Sequence, residues 1–368
     1  MLKNNFALII GLSAVIAVGV AVSSISAAET LNKSSRRVAA CSVAQGQALI
    51  DAGSYEQAIN KFECVIDADA TAVEGYRGRI EAEVLAGRYS DAVHDYQRVT
   101  AFVLPVNPDA KTAIVAGYDA RLAVDPQNVN ALTGLSFARW WNFDYASAIH
   151  VLNELIAIRP NDVYPNLFRG SSRLLSGATK AKGVADLDRA ISLAPTSPHV
   201  RFIVADAYTY GLHDYDRAFA EASLALAWRL GTPRIHAILG AAYNSFGDLS
   251  AAADHVQTCI DLVTTELVPA SPIVAGTTVS LGFVPGRTYD VPISVAAGET
   301  ISIATSSRDY WDTILVLLAP DGTPVLGRDD DNFYFAAFDY IAQQKGTYHM
   351  KVTFFESVAT GELVVTRR

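Results

Sequence analysis

From about Ala39 to Glu266, small, aromatic and apolar residues recur with a period of roughly 34 residues, the length that predicts stacked helical hairpins. Gly53, Tyr55, Ala58 and Phe62 return as Gly87, Tyr89, Ala92 and Tyr96, then as Tyr145, Ala148 and Leu152, and again as Gly247, Leu249 and Ala252. Where two helices must cross closely the chain supplies small residues: Gly46, Ser136, Gly170, Ala205 and Gly240 on first helices, and Ala58, Ala92, Ala148, Ala218 and Ala252 on second ones. Phe62, Tyr96, Tyr118, Leu152, Leu187 and Val256 take the bulky slot between neighbours, and Pro126, Pro160 and Pro195 close second helices. One interval breaks the frame. The step from Tyr89 to Tyr145 falls short of two full periods by about a third of one, and Pro105 and Pro108 lie inside the defect. The arithmetic predicts about six repeats over 39–266, one of them truncated near 107–128 to a single helix, with a kink in the superhelix there.

After Pro269 and Pro272 the period falls from 3.6 to 2. Runs such as Thr278–Val284, Tyr289–Val295, Thr313–Leu318 and Thr347–Phe355 are bounded by turn pairs such as Ala297-Gly298, Asp321-Gly322 and Lys345-Gly346. Seven or eight short strands in residues 273–368 predict an all-β antiparallel sandwich, jelly-roll-like, joined to the all-α solenoid by a linker at 267–272. Alternation along the run from Thr347 turns Tyr348, Met350, Val352 and Phe354 inward.

Composition adds a location. Lys3, an uncharged run from Phe6 to Val22 and the exit Ser26-Ala27-Ala28 form the three parts of a secretory signal over 1–28, followed by a linker at 29–38. An uncleaved anchor has similar length, but the small-residue exit favours cleavage. No later stretch is apolar enough to span a bilayer, so no stable membrane insertion is expected after cleavage. The chain carries 29 basic and 38 acidic residues; losing Lys3 leaves 28. Without a Lys/Arg cluster beyond Arg36-Arg37, nucleic acid is not an expected partner. Among three cysteines, Cys41 and Cys64 fall at facing levels of one hairpin. Either they form a disulfide, closing a loop worth roughly 3 kcal/mol, or they are two independent core residues. Cys259 reads as a buried thiol.

The stretches Gly240-Ala-Ala-Tyr243 with Gly247-Asp-Leu249 and Ala252, and Phe168-Arg-Gly170 with Ala190–Pro195, resemble the tetratricopeptide repeat family. The resemblance extends over the whole of 39–266 and implies a concave groove that holds a protein or peptide partner. Carried onto the frame at 129–162, its lining positions are Asn130, Thr133, Phe137 and Trp140, with Trp141 beside them. Phe137 and Trp140 share a helix face. Such aromatics serve as binding anchors or as packing between repeats, and Trp140 and Trp141 cannot both point inward.

The order of parts Tyr289–Ile303, Trp311–Leu317 with Asp321-Gly322, Asp329-Asp330-Asp331 and Gly346–Val352 resembles the bacterial pre-peptidase C-terminal domain, an accessory module of secreted proteins. Asp312, Asp329, Asp330 and Asp331 are hard oxygen donors that would suit calcium or form a solvated turn; no other cofactor is implied. No His-Glu-x-x-His pair, Gly-x-Ser-x-Gly elbow or phosphate loop occurs. The sequence therefore points to a non-catalytic, secreted or periplasmic scaffold. Alternatives are a calcium- or carbohydrate-binding adhesion module, and the regulatory subunit of a secreted hydrolase. A hydrolytic centre of its own would show as clustered Ser, His and acidic groups.

Overall fold

A computed structural model describes residues 41–177, 179–283, 286–307, 313–328, 337–354 and 361–367. The signal at 1–28, the linker at 29–38 and the aspartates 312 and 329–331 lie outside the described residues. Thirteen α-helices among those described are α1 Val43–Asp51, α2 Tyr55–Ala68, α3 Val73–Leu85, α4 Tyr89–Arg98, α5 Ala110–Val124, α6 Val129–Trp141, α7 Tyr145–Ile158, α8 Val163–Leu175, α9 Lys180–Leu193, α10 Pro198–Ala207, α11 Tyr215–Ala227, α12 Pro233–Phe246 and α13 Leu249–Val263. Short π-helical turns, Val99–Val103 and Tyr208–Leu212, extend α4 and α10.

Local chemistry sets the helix ends. Ser42, Asn128, Asp144, Ser197, Asp214, Thr232 and Asp248 each accept a backbone N–H of the first turn, which satisfies donors a helix start leaves open. Pro198 and Pro233 stand in first turns, where no N–H is needed. Small and bulky slots meet both within a hairpin and between neighbours: a Cβ on Gly46 of α1 or Gly78 of α3 would sit 2.6 Å or 2.1 Å from the Phe62 ring of α2. The rows of first and second helices can approach only because those positions carry no side chain.

Residues 107–128 carry the single helix expected there, α5, which stands beside α3 in the second-helix position. Tyr118 of α5 fills the bulky slot, donating its hydroxyl to the Arg77 carbonyl of α3 (3.0 Å), and its ring abuts Gly134 of α6. Arg121 of α5 donates to both oxygens of Glu81 on α3 at 2.7 Å. Six hairpins result: α1/α2, α3/α5, α6/α7, α8/α9, α10/α11 and α12/α13. The interval from Tyr89 to Tyr145 is thus one full period with an insertion, and the insertion is α4 with its π turn and the loop to Asp109.

The strands are β1 Glu266–Pro269, β2 Thr277–Phe283, β3 Arg287–Val295, β4 Thr300–Ser307, β5 Thr313–Leu318, β6 Pro324–Arg328, β7 Ala337–Ile341, β8 Gly346–Phe354 and β9 Gly361–Arg367. They form two sheets, ordered β1-β3-β8-β5-β6 and β2-β9-β4-β7. All pairs are antiparallel except β1 with β3, which run parallel. The stretch expected as a linker therefore carries an edge strand, and the first sheet is mixed. Val291, Ile293, Tyr348, Met350 and Val352 of one sheet share a core with Leu281, Ile301, Ile303 and Val365 of the other; the Phe354 side chain lies outside the described set.

Solenoid and sheets are joined by a second apolar cluster. Ala253, Val256, Cys259 and Ile260 of α13 pack on Ile314 and Val316 of β5. β5 is consequently buried on both faces, which explains why Thr-Ile-Leu-Val-Leu-Leu is a continuous apolar run. Gly327 of β6 lies so close to α13 that a Cβ would come within 2.9 Å of the Ala253 Cα. Asn244 of α12 donates to the Gly327 carbonyl at 3.0 Å.

Candidate functional site

The first helices of successive hairpins line one side of the array, and α4 lies along that side. Tyr89 of α4 packs on Tyr164 and Phe168 of α8, with ring centroids 6.0 and 5.4 Å apart. Tyr96 reaches Phe137 at 6.2 Å and Trp141 at 5.8 Å, both on α6. Ser90 Oγ and His199 Nδ1 of α10 share a hydrogen bond of 2.8 Å, although they are far apart in sequence. The Asp95 carboxylate takes a bidentate pair from Arg79 of α3, and both are buried. One inserted helix thus crosses the first helices of four hairpins, and of its residues only His94 is exposed.

That placement decides the fate of the expected groove residues. Phe137 is wholly buried and Trp140 is 6% exposed; Phe137 meets α4, while the Trp140 indole donates to Ser171 Oγ at 3.0 Å. Thr133 is buried, and its carbonyl accepts from the Tyr164 hydroxyl at 3.0 Å. Asn130 is half-buried at the start of α6. A segment of the chain itself, α4, covers Phe137, and neither Phe137 nor Trp140 offers a free surface. Trp141 is the partly exposed member of the tryptophan pair.

Beside α4 the inner side keeps a small recess of about 50 Å³. Its wall is aromatic: Trp140, Trp141, Phe143, Tyr145, Phe202 and Tyr210, with Val93 of α4 at one edge. One charged pair stands in it. Arg234 donates to Asp206 at 2.8 Å while its guanidinium lies 4.2 Å from the Tyr210 ring centroid. Such a wall presents flat apolar area with a fixed polar pair, which suits an aromatic or apolar side chain better than a free ion.

Phe143 sets the recess apart. Left-handed residues close the turns after α1, α3, α8 and α12 as Gly53, Gly87, Gly177 and Gly247, at φ 72°, 76°, 69° and 80°, and the turn after α10 as His213, at φ 54°. At the same turn of the third hairpin stands Phe143, at φ 61° and 67% exposed. A bulky residue in this conformation is strained, by about 1–2 kcal/mol. Neither Phe143 nor the Asp206–Arg234 pair stands out as a site in the sequence reading. For Phe143 the signal was present, because the glycine frame returns at position 143 and finds phenylalanine.

Ser90, Asp91 and His199 do come together, as a hydrolytic centre would require. Their arrangement is unlike a triad, in which the acid holds the second imidazole nitrogen. Asp91 instead accepts from Ser90 Oγ at 3.4 Å and from Arg88 Nε at 2.6 Å, and Ser90 is 4% exposed. Burial holds the His199 imidazole below its ordinary pKa, against the pull of Asp91. The cluster fastens α4 to α10. Elsewhere, His236 and His255 place Nδ1 atoms 3.0 Å apart, and burial lowers both pKa values. Among the described residues no three His, Cys, Asp or Glu side chains group as metal ligands. The Cys41 and Cys64 sulfurs meet as a disulfide that ties α2 to the residue before Ser42, with Cα atoms 5.4 Å apart.

Fold and site together define a helical-hairpin solenoid of tetratricopeptide-like build, closed at its C-terminal end by a two-sheet domain. Among solved structures the chain is similar to a tetratricopeptide repeat protein from Parabacteroides merdae, at 14% identity over 60% of this chain and 77% of that one, with a TM-score of 0.37. It is also similar to a thermophilic repeat protein of Thermus thermophilus (20% identity, 52% and 92% covered, TM-score 0.33) and to PilF of Pseudomonas aeruginosa (17%, 62% and 93%, 0.33). No family model and no curated relative matches the sequence. At these identities and scores the likeness adds nothing to what the hairpins themselves display. No described helix is long and apolar enough to cross a membrane.

Proposed function

We propose that this protein is a non-catalytic interaction scaffold working outside the cytoplasm, which seats an apolar or aromatic side chain of a protein partner in the Trp141–Phe143 recess. The observation that carries the reading is Phe143: a large apolar aromatic, 67% exposed, held in a left-handed turn that glycine serves in three other hairpins and His213 in the fifth. Strain of this kind persists where a side chain has a use that offsets its cost. Recognition would rest on rigid aromatic anchors around the Asp206–Arg234 pair.

The location is supported by the signal-like N-terminus and by the Cys41–Cys64 disulfide, which suits an oxidising compartment. The C-terminal domain is read as an accessory module like the pre-peptidase type. With β1 set aside, its two four-stranded sheets, ordered β2-β9-β4-β7 and β3-β8-β5-β6, support a jelly-roll reading. A displayed peptide library panned on the full chain tests the site. Selected peptides carry an aromatic or bulky apolar anchor, and Phe143→Gly and Trp141→Ala each weaken them about ten-fold or more. Selection of nothing, or of peptides indifferent to both substitutions, removes the reading.

A further inference from the structure

α5 stands beside α3, held through Tyr118 and Arg121, and α3 packs directly on α6, so the first helices form a continuous row whose channel α4 fills. α4 is therefore an occupant of that channel, not one of its walls. It is held as a bound helix is held, by anchors on one face: Tyr89 between Tyr164 and Phe168, Tyr96 between Phe137 and Trp141, and Asp95 on Arg79.

We infer that α4 is a built-in occupant standing where an amphipathic helix of a partner fits, so that the partner's helix carries two aromatics spaced as Tyr89 and Tyr96 are, with a carboxylate just before the second. The inference rests on the scaffold reading and extends it, because Val93 of α4 forms an edge of the recess. Helix-in-groove recognition uses this spacing of anchors, which lie on one stripe. The fit of α4 is also incomplete. Thr100 Oγ1, in the π turn that extends α4, and Glu83 Oε2 of α3 are buried with no hydrogen-bond partner, and such groups weaken an interface that contains them. Both ends can act as hinges. Gly87 precedes α4 in the left-handed conformation with no atom within 4 Å of its Cβ direction, and Pro105 and Pro108 follow the π turn.

A synthetic peptide of residues 88–104 serves as the probe. The full chain is prepared with Val93→Asp and Tyr96→Ala, both on α4, so the channel walls are untouched. Circular dichroism reports whether the array stays folded, and calorimetry measures peptide binding. The loosened chain binds the peptide at least about ten-fold more tightly than the parent does, and the same peptide with Asp95→Ala and Tyr96→Ala does not bind. A folded variant that ignores the peptide overturns the inference and makes α4 a permanent strut. Should the variant fail to fold, hydrogen exchange on the parent decides: α4 amides exchanging by a local opening, ahead of those in α3 and α6, support displacement, whereas exchange in step with α3 and α6 overturns it. A chain that loses library peptides through Phe143→Gly yet never binds the α4 peptide keeps the scaffold reading and loses this one.

Discussion

Replacing Phe143 by glycine and by alanine separates backbone strain from side-chain contact. Both substitutions delete the same ring, so its partial burial cancels in the comparison. Alanine keeps the Cβ that crowds the left-handed conformation at φ 61°, at about 1–2 kcal/mol. Glycine removes that cost but gives back about 0.5–1 kcal/mol through the larger freedom of its unfolded chain. Phe143→Gly should therefore be about 0.5–1 kcal/mol more stable than Phe143→Ala, the reverse of the order in a helix interior, where alanine is preferred by about 1 kcal/mol. Urea unfolding followed by far-ultraviolet circular dichroism resolves this as a shift in midpoint at constant slope. Gly87→Ala is the internal control. Its Cβ would meet no atom within 4 Å, so any loss it shows is conformational, and it should lie near the same magnitude. If alanine at 143 is as stable as glycine, the turn is unstrained, and the argument that Phe143 is kept for its exposed ring fails with it.

Two further outcomes follow from buried groups elsewhere. Burial, reinforced by the neighbouring Asp95 carboxylate, pushes the Glu83 carboxyl from 4.5 up to about 9. A carboxyl raised in the folded state adds stability that is complete below its unfolded pKa and is lost as pH rises through its folded one. Between about pH 5 and 9 the array should lose stability in urea melts, and Glu83→Gln should be more stable than the parent at pH 8; equal stability there would show that Glu83 ionises freely. At the domain junction, Gly327→Val drives a side chain into Val256 and the Ala253 backbone, where overpacking costs about 1–3 kcal/mol. Calorimetry should then resolve separate solenoid and sheet transitions, and a single unshifted transition would mean that the Gly327 contact does not couple them.

The repeating frame told the hairpins apart from the strands because each local choice is repeated. Gly46, Gly170 and Gly240 stand where Phe62, Leu187 and Val256 must approach, and these pairings are legible as spacing alone. Alternation likewise exposed the inward residues of β8. The interval from Tyr89 to Tyr145 is ambiguous in sequence for a physical reason. Tyr89, Ala92 and Tyr96 carry the pattern of a second helix, since burial of an apolar stripe demands the same spacing whether the stripe meets a hairpin partner or a channel. Only the tertiary contacts show that α5 takes the hairpin position and α4 the channel.

The same limit governs the site. Sequence placed Phe137, Trp140 and Trp141 toward the inner side, but exposure depends on what else arrives there, and α4 is fixed by Arg79, Phe168 and His199, the last two remote from it in sequence. The recess is a sum of side chains from several helices and has no sequence period. By itself, the sequence determined the local elements, their small and bulky contacts and the turn at which Phe143 replaces glycine, because those follow from neighbours along the chain. The tertiary structure alone decided that the channel is filled from within, that β5 is covered on both faces and where an opening is left, because each depends on surfaces that meet only after folding.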